Sequence, residues 1–310
     1  MASHQSSPEN LILVNREPSG IAFVTINRPK SLNSLTRPMI IDLAKAFKAL
    51  SQDESVRVII LSGSGRAFCS GVDLTAAEDV FKGDVKDMET DTVAQMERCR
   101  KPIIGAINGF AVTAGFEMAL ACDIIVAAKG AKFVDTHARF GIFPTWGLSQ
   151  KLSRIIGANK AREVSLTATP LTAELGERLG FVNHVVEEGE LLKKAREVAE
   201  AIAKNNQELV LRYKAVINDG LKLDLGHALA LEKKNLYETG IALAVTAALS
   251  RFMQVFLQWL LFFFFMTEYV CDCNFQERGH DYYSGMTKEQ FKKMQEFITG
   301  RGSKKPSSKL

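Results

Sequence analysis

The sequence lacks the cysteine patterns of metal-binding and disulfide-stapled proteins. Its five cysteines are an odd number and include no Cys-x-x-Cys pair. This pattern argues against the common zinc-site spacings and favours reduced thiols in a non-secretory compartment. We therefore expect no metal site.

The chain also has few features of nucleic-acid-binding or secreted proteins. Its net charge is only +4 over 310 residues, and no run of basic residues is interleaved with aromatic ones. Zinc-finger and helix-turn-helix spacings are missing too, so we expect no nucleic-acid partner. Residues 1–10 are polar, and we expect no secretory signal there. A chain of this length can bury a large core.

The central stretch 101–128, KPIIGAINGFAVTAGFEMALACDIIVAA, is the most informative part. Its apolar runs predict a strand at Ile103–Ile107, a helix at Phe116–Cys122 and a strand at Ile124–Ala127. Only Glu117 interrupts the helix, and burying a lone carboxylate is costly and raises its pKa. Two interpretations stay open: a carboxylate that the helix dipole favours, or a general acid or base.

The flanking segments alternate strand and helix signals. Leu11–Asn15 and Ile21–Ile26 predict a hairpin, Thr36 is a plausible helix N-cap with Pro38 just inside the helix, and Val58–Leu61 predicts a strand. This order indicates βαβ units in an α/β fold.

Further along the chain, residues 76–100 are polar and of mixed charge, so we expect one or two exposed helices there. Apolar patterns predict helices at Leu148–Ile156, Leu191–Ala203 and Leu209–Ile217, and a last strand at Phe181–Val186.

A second small-residue loop, RAFCSGVDL, covers 66–74. Together with NGFAVTAGFEMALACDIIVAA at 108–128, it resembles the two signature segments of the enoyl-CoA hydratase/isomerase (crotonase) superfamily, in the same order. The resemblance runs from about Leu11 to about Lys233 and resumes near Glu277. It implies a crotonase-like spiral of ββα units in residues 1–205. It also implies a C-terminal helical trimerisation region in 206–234 and 277–300, and hence a homotrimer or hexamer.

The resemblance implies an acyl-CoA substrate and no separate cofactor, because coenzyme A is part of the substrate. In the family the thioester carbonyl lies between two backbone N–H groups, an oxyanion hole that stabilises enolate charge. By position, Ser70 and Ala114 would donate these hydrogen bonds. The implied substrate-binding residues are Ser70, Gly71, Val72, Asp73, Ala114 and Thr145.

Hydratases of this family use two glutamates to add water. Glu117 matches the first, but His137 stands where the second is expected. Histidine exchanges protons near neutral pH, so a Glu117–His137 catalytic pair is one hypothesis; a site that works with Glu117 alone and a His137 that only fills the pocket are others. Asp135 is a possible substitute, because strand alternation would point it the same way as His137.

The implied activity is hydration of the 2,3 double bond of a trans-2-enoyl-CoA in fatty-acid breakdown. Alternatives on the same fold are an enoyl-CoA isomerase, an acyl-CoA thioester hydrolase and a non-catalytic binding protein. Isomerisation needs only one proton shuttle, so the missing second glutamate does not count against it.

An apolar segment at 235–276 interrupts the resemblance. Within it, 241–266 is 26 residues long with one charge, Arg251, which makes it formally a transmembrane candidate. Deleting 235–276 would join the two parts of the C-terminal helical region directly. We therefore interpret it as a retained intron or a gene-model error, with a membrane-anchoring insertion as the alternative.

The last three residues are Ser308-Lys309-Leu310, at the end of a polar tail, 301–310, that we expect to be flexible. This tripeptide is a receptor-read peroxisomal address. It predicts a peroxisomal location and the peroxisomal import receptor as a partner.

Overall fold

The structure, a computed structural model, describes residues 10–76, 80, 87–235, 253–254 and 256–258. The chain divides into two units, residues 1–237 and 238–310, and all elements named below belong to the first.

Strands in the described part of the chain form two sheets. They are β1 (Ile12–Arg16), β2 (Ile21–Ile26), β3 (Val58–Gly63), β4 (Ile103–Ile107), β5 (Phe110–Val112), β6 (Ile124–Ala128), β7 (Lys132–Val134), β8 (Leu171–Thr172) and β9 (His184–Val186). The larger sheet has the order β1-β2-β3-β4-β6-β9, and the smaller has the order β5-β7-β8. The hairpin β1–β2 is antiparallel, whereas the other pairs of the larger sheet are parallel.

The helices that follow or cover these strands are α1 (Arg37–Gln52), α2 (Thr92–Arg98), α3 (Ala114–Leu120), α4 (His137–Phe140), α5 (Leu148–Ile156), α6 (Ala158–Thr167), α7 (Ala173–Leu179), α8 (Leu191–Ala203) and α9 (Gln207–Gly220). A further helix covers 225–235.

The central strands of the larger sheet, β3 and β4, are buried on both faces. Strand β4 is buried at every residue, as expected for a parallel strand covered by helices. On one face, α1 contributes Leu43 and Phe47 to the larger core. On the other face, α8 packs Leu191 and Ala195, one turn apart, against Ile60 of β3 and its neighbours. The periodic apolar positions of both helices therefore fix where they lie on the sheet.

The strongest sequence patterns are confirmed. Strand Ile103–Ile107 and helices Leu148–Ile156 and Leu191–Ala203 have the predicted bounds, and the predicted hairpin forms. Thr36 is the N-cap residue of α1. The α/β class and the βαβ order are likewise confirmed.

The prediction of exposed helices within 76–100 is wrong for α2. Its first five residues are buried, because their polar groups find partners inside the protein. The Thr92 hydroxyl donates to Ile40 O (2.8 Å), and the Gln95 amide donates to Met88 O (2.8 Å). The polarity of this segment therefore did not indicate that α2 is exposed.

The last strand is shorter than predicted. Only His184–Val186 pairs in the sheet, because the chain must first leave α7 through a turn. The N–H groups of Phe181 and Val182 both donate to Gly176 O, at 3.1 and 3.2 Å. These residues are buried beside the helix end instead of in a strand.

Several predictions fall on residues outside the described part. These are most of the 235–276 segment, the second part of the helical region at 277–300, and the tail at 301–310. They stay predictions. Among the described helices, none has the length and apolar character needed to cross a membrane.

The start of α3 packs so tightly against loop 66–74 that only glycine fits at residue 115. A Cβ there would collide with Cys69 O and lie 2.9 Å from Cys69 Cβ. We expect Gly115→Ala to lower the free energy of unfolding by about 1–3 kcal/mol, as overpacking does, measured by urea denaturation. The matched control is Gly189→Ala, where a Cβ meets nothing within 4 Å, and it should stay within about 0.5 kcal/mol of the parent. Equal losses at both positions would contradict the close approach.

Candidate active site

A cavity of about 420 Å³ brings together the start of α3, loop 66–74, and the segment that contains α4. Of the residues predicted for the site, all but Asp73 line it: Ser70, Gly71, Val72, Ala114, Glu117, His137 and Thr145. Its apolar wall includes Ile40, Ile41, Leu74, Ile142, Phe143 and Trp146. The cavity thus combines apolar walls with a small number of polar groups, as small-molecule sites do.

Glu117 lies in the first turn of α3 and is only 3% exposed. Its Oε1 accepts hydrogen bonds from the N–H groups of Trp146 (3.0 Å) and Leu148 (3.3 Å), at the start of α5. Glu117 therefore bonds to the beginning of another helix, not to its own. Burial raises its pKa, against the opposing effects of His137 and of these two N–H groups. Because Oε1 is anchored, Oε2 is the oxygen that faces His137.

His137 is the first residue of α4 and is buried. Its Nε2 lies 3.8 Å from Glu117 Oε2. The structure therefore brings the two predicted catalytic side chains together across a distance too long for a direct hydrogen bond. Its other ring nitrogen, Nδ1, lies 2.7 Å from Asp135 Oδ1.

The expectation that strand alternation would direct Asp135 and His137 the same way is wrong. Strand β7 ends at Val134, and the Asp135 side chain turns back to accept from the His137 N–H (3.1 Å), as aspartates do in turns. Asp135 does not line the cavity. It therefore does not substitute for a second glutamate.

The assignment of Ser70 as an oxyanion donor also needs correction. Its N–H donates to Leu32 O (3.0 Å), so it is not available to a substrate. The residues on either side of Val72 hydrogen bond to Leu35. The Leu35 N–H donates to Gly71 O (2.8 Å), and the Asp73 N–H donates to Leu35 O (2.9 Å).

This parallel pairing directs the N–H of Val72 away from Leu35. No described residue accepts a hydrogen bond from Val72 N–H. Ala114 N–H, at the first position of α3, has no acceptor within its own helix. Both residues line the cavity, so both N–H groups are available to a ligand there.

A strained residue sets the direction of the Ala114 N–H. Thr113 has φ 51° and ψ −105°, a conformation that a β-branched residue rarely adopts. Its N–H donates to Val134 O (2.8 Å), and its hydroxyl pairs with that of Thr136. Such strain persists only where the surroundings hold it, and it concentrates at functional sites.

Asp73, by contrast, has a structural role in which both carboxylate oxygens bond to other residues of the chain. Its Oδ2 pairs with Arg28 Nη1 (2.5 Å), and its Oδ1 accepts from the hydroxyl (2.6 Å) and N–H (3.0 Å) of Thr75. The Thr75 hydroxyl and the Arg28 guanidinium together lower its pKa to about 2. These bonds tie the end of loop 66–74 to the segment after β2, so the predicted substrate contact of Asp73 is not supported.

Comparisons with known proteins point to one family. The profile of the enoyl-CoA hydratase/isomerase family matches residues 16–255. The chain is 68% identical over 306 residues to the probable enoyl-CoA hydratase 1, peroxisomal, of Arabidopsis thaliana, covering 99% of each chain. It is 38% identical over 222 residues to the probable mitochondrial enoyl-CoA hydratase of Dictyostelium discoideum, covering 71% of this chain and 79% of the relative.

Solved structures show the same fold. The enoyl-CoA hydratase of Bacillus anthracis superposes with a TM-score of 0.70 at 33% identity, covering 75% of this chain and 91% of that one. The chain therefore belongs to the enoyl-CoA hydratase/isomerase family, and its fold is the crotonase fold.

Sequence reasoning missed three features of the site. The N–H partners of Glu117 follow it by 29 and 31 residues, so no local sequence pattern predicts them. The availability of Val72 N–H depends on pairing with Leu35, which is even more distant in the sequence. Only the Asp135–His137 contact had a local signal, because an aspartate two residues before a helix start commonly forms such a turn.

The hydrogen bonds of Asp73 to Thr75 and Arg28 predict a pH-dependent contribution to stability. The pKa of Asp73 is lowered from 3.8 to about 2, so its ionised form stabilises the folded state above pH 3.8, and this contribution disappears as the pH falls through about 2. We expect Asp73→Asn to lose about 1–2 kcal/mol of unfolding free energy at pH 7. The difference from the parent should shrink below pH 3.8 in urea denaturation. A difference that does not change between pH 7 and pH 2.5 would contradict this assignment.

Proposed function

We propose that this chain is an enoyl-CoA hydratase that adds water across the 2,3 double bond of a trans-2-enoyl-CoA in fatty-acid breakdown. The observation that carries the proposal is the buried pair Glu117 Oε2 and His137 Nε2, 3.8 Å apart, beside the available N–H of Ala114. The names of the Arabidopsis, Dictyostelium and Bacillus relatives support it.

In this proposal the thioester carbonyl oxygen accepts hydrogen bonds from the N–H groups of Val72 and Ala114. Addition to C3 moves electrons onto that oxygen, and fixed N–H dipoles stabilise the developing enolate more than the ground state. Val72 takes the place that the sequence had suggested for Ser70. The apolar wall of the cavity holds the acyl chain, and coenzyme A enters as part of the substrate, with no separate cofactor.

A water molecule could bridge the side chains of Glu117 and His137. Two polar atoms 3.8 Å apart can each hydrogen bond to one water. Glu117 removes a proton from this water as its oxygen bonds to C3, and a proton is then delivered to C2. His137 is placed to deliver that proton, which would make it the functional replacement for the second glutamate.

We also propose a peroxisomal location. Relatives carry different names in this respect, since the Arabidopsis protein is named peroxisomal and the Dictyostelium protein mitochondrial. The terminal Ser308-Lys309-Leu310 favours the peroxisome and its import receptor.

Assembly into a trimer or hexamer belongs to the same proposal. Its support is helix α9, which has no buried residue in the single chain and leaves Leu209, Tyr213 and Ile217 exposed.

Glu117→Gln tests the proposal most simply. Glutamine keeps an oxygen for the N–H groups of Trp146 and Leu148 but cannot take a proton from water. We expect kcat/KM for a short trans-2-enoyl-CoA to fall by about 10²–10⁴-fold, followed as loss of the enoyl absorbance.

The matched control is Glu174→Gln. Glu174 also accepts a backbone N–H, from Gly130 (3.0 Å), but it lies outside the cavity. It should keep the parent rate. Full activity of Glu117→Gln would overturn the assigned role. A folded parent protein that hydrates no enoyl-CoA would overturn the hydratase proposal and direct the assay to 3-enoyl-CoA isomerisation.

The raised pKa of Glu117 predicts the acid side of the pH–rate profile. A base must be ionised, so kcat/KM should fall as the pH drops through the pKa of Glu117. Because burial raises that pKa from 4.5, the midpoint of the fall should lie above pH 4.5. The measurement is kcat/KM from pH 4 to 9, with recovery of activity checked after return to neutral pH. A midpoint at or below 4.5 would contradict the role of burial.

A further inference from the structure

We propose that Asp135 is a positioning residue for His137. Its carboxylate would hold the imidazole with Nδ1–H bonded to the carboxylate and Nε2 facing Glu117. This inference rests on the proposed hydratase function for its catalytic meaning, but the orientation of the ring can be tested without turnover.

The contacts converge on one oxygen. Asp135 Oδ1 lies 2.7 Å from His137 Nδ1 and accepts from the His137 N–H at 3.1 Å. Both Asp135 and His137 are less than a tenth exposed, so the pair is shielded from competing water. His137 therefore has little freedom to rotate away from the cavity.

The charge of Asp135 determines which ring nitrogen carries a proton. Burial by itself would raise the Asp135 pKa, but hydrogen bonds from the His137 ring, from Ser165 and from the His137 N–H outweigh burial and lower it. An ionised carboxylate can only accept hydrogen bonds, so Nδ1 must donate. The charged groups of the described chain within 4 Å of the ring nitrogens are the carboxylates of Asp135 and Glu117.

This orientation completes the proton balance of hydration. Glu117 takes one proton from water while the hydroxyl oxygen bonds to C3, and the double-bond electrons move to the thioester oxygen. The proton on Glu117 then passes to the unprotonated Nε2, which makes the ring charged. As the enolate collapses, C2 takes this proton from Nε2–H, and the net change is addition of one water. Asp135 stays ionised throughout and stabilises the charged ring.

The first test is ¹⁵N NMR of the full chain labelled at histidine. The chain has only five histidines, and His137→Gln identifies the relevant signal. We expect the neutral ring to carry its proton on Nδ1, with a downfield signal typical of a charge-assisted hydrogen bond. In Asp135→Asn that proton should move upfield, because the acceptor loses its charge. In the control Asp123→Asn, whose carboxylate pairs with Lys214 away from the cavity, it should not move.

The second test separates positioning from general structural support. Asp135→Asn should lower kcat for enoyl-CoA hydration by about 10- to 100-fold, while KM stays within about twofold. Added to His137→Gln, the same substitution should have no further effect, because Asp135 acts through a ring that is no longer present. Equal losses with and without His137 would overturn the proposal.

The two proposals fail in different ways. A parent protein without hydratase activity would overturn the proposed function only, because the NMR result does not depend on turnover. A neutral ring protonated on Nε2, or a signal that Asp135→Asn leaves unmoved, would overturn the positioning role. If Asp135→Asn does not fold, Asp135→Glu is the second variant. It keeps the charge but displaces the carboxylate from Nδ1, so the same proton should move upfield, and an unmoved proton would overturn the positioning role.

Discussion

A buried carboxylate, Glu117, is the constraint on which the site depends. Placing it in an apolar cavity raises the free energy of its ionised form, and two backbone N–H groups at the start of α5 offset part of that penalty. These bonds link α3 to α5 and leave one carboxylate oxygen directed at His137. The same contacts that make the charge tolerable therefore determine which atom is available for chemistry.

The site also requires the backbone at the start of α3 to pack closely against loop 66–74. Gly115 lets α3 pack on loop 66–74, and Gly71, with φ 98°, lies where a Cβ would be 3.1 Å from Val112 O. Between them, the strained Thr113 turns the chain into α3. Small residues and one strained residue thus bring two separate N–H groups, Val72 and Ala114, to the same cavity. A donor pair built from backbone in this way does not depend on the side chains at either position.

The larger elements could be predicted from sequence because apolar periodicity reports which face is buried. Strand β4 and helices α5 and α8 were predicted with their correct bounds for this reason. The two signature segments also led correctly to the family. Long-range pairing was beyond such reasoning: the choice of Val72 over Ser70 follows from hydrogen bonds to Leu32 and Leu35, and the buried position of α2 follows from a bond between Thr92 and α1.

The most direct test of how the substrate binds is a crystal structure of Glu117→Gln with bound trans-but-2-enoyl-CoA. This variant should hydrate the substrate too slowly to consume it. We predict the thioester oxygen within about 2.7–3.2 Å of the N–H nitrogens of Val72 and Ala114, with C3 beside the gap between residues 117 and 137. A thioester bound to Ser70 N–H, or an acyl chain outside this cavity, would contradict the account.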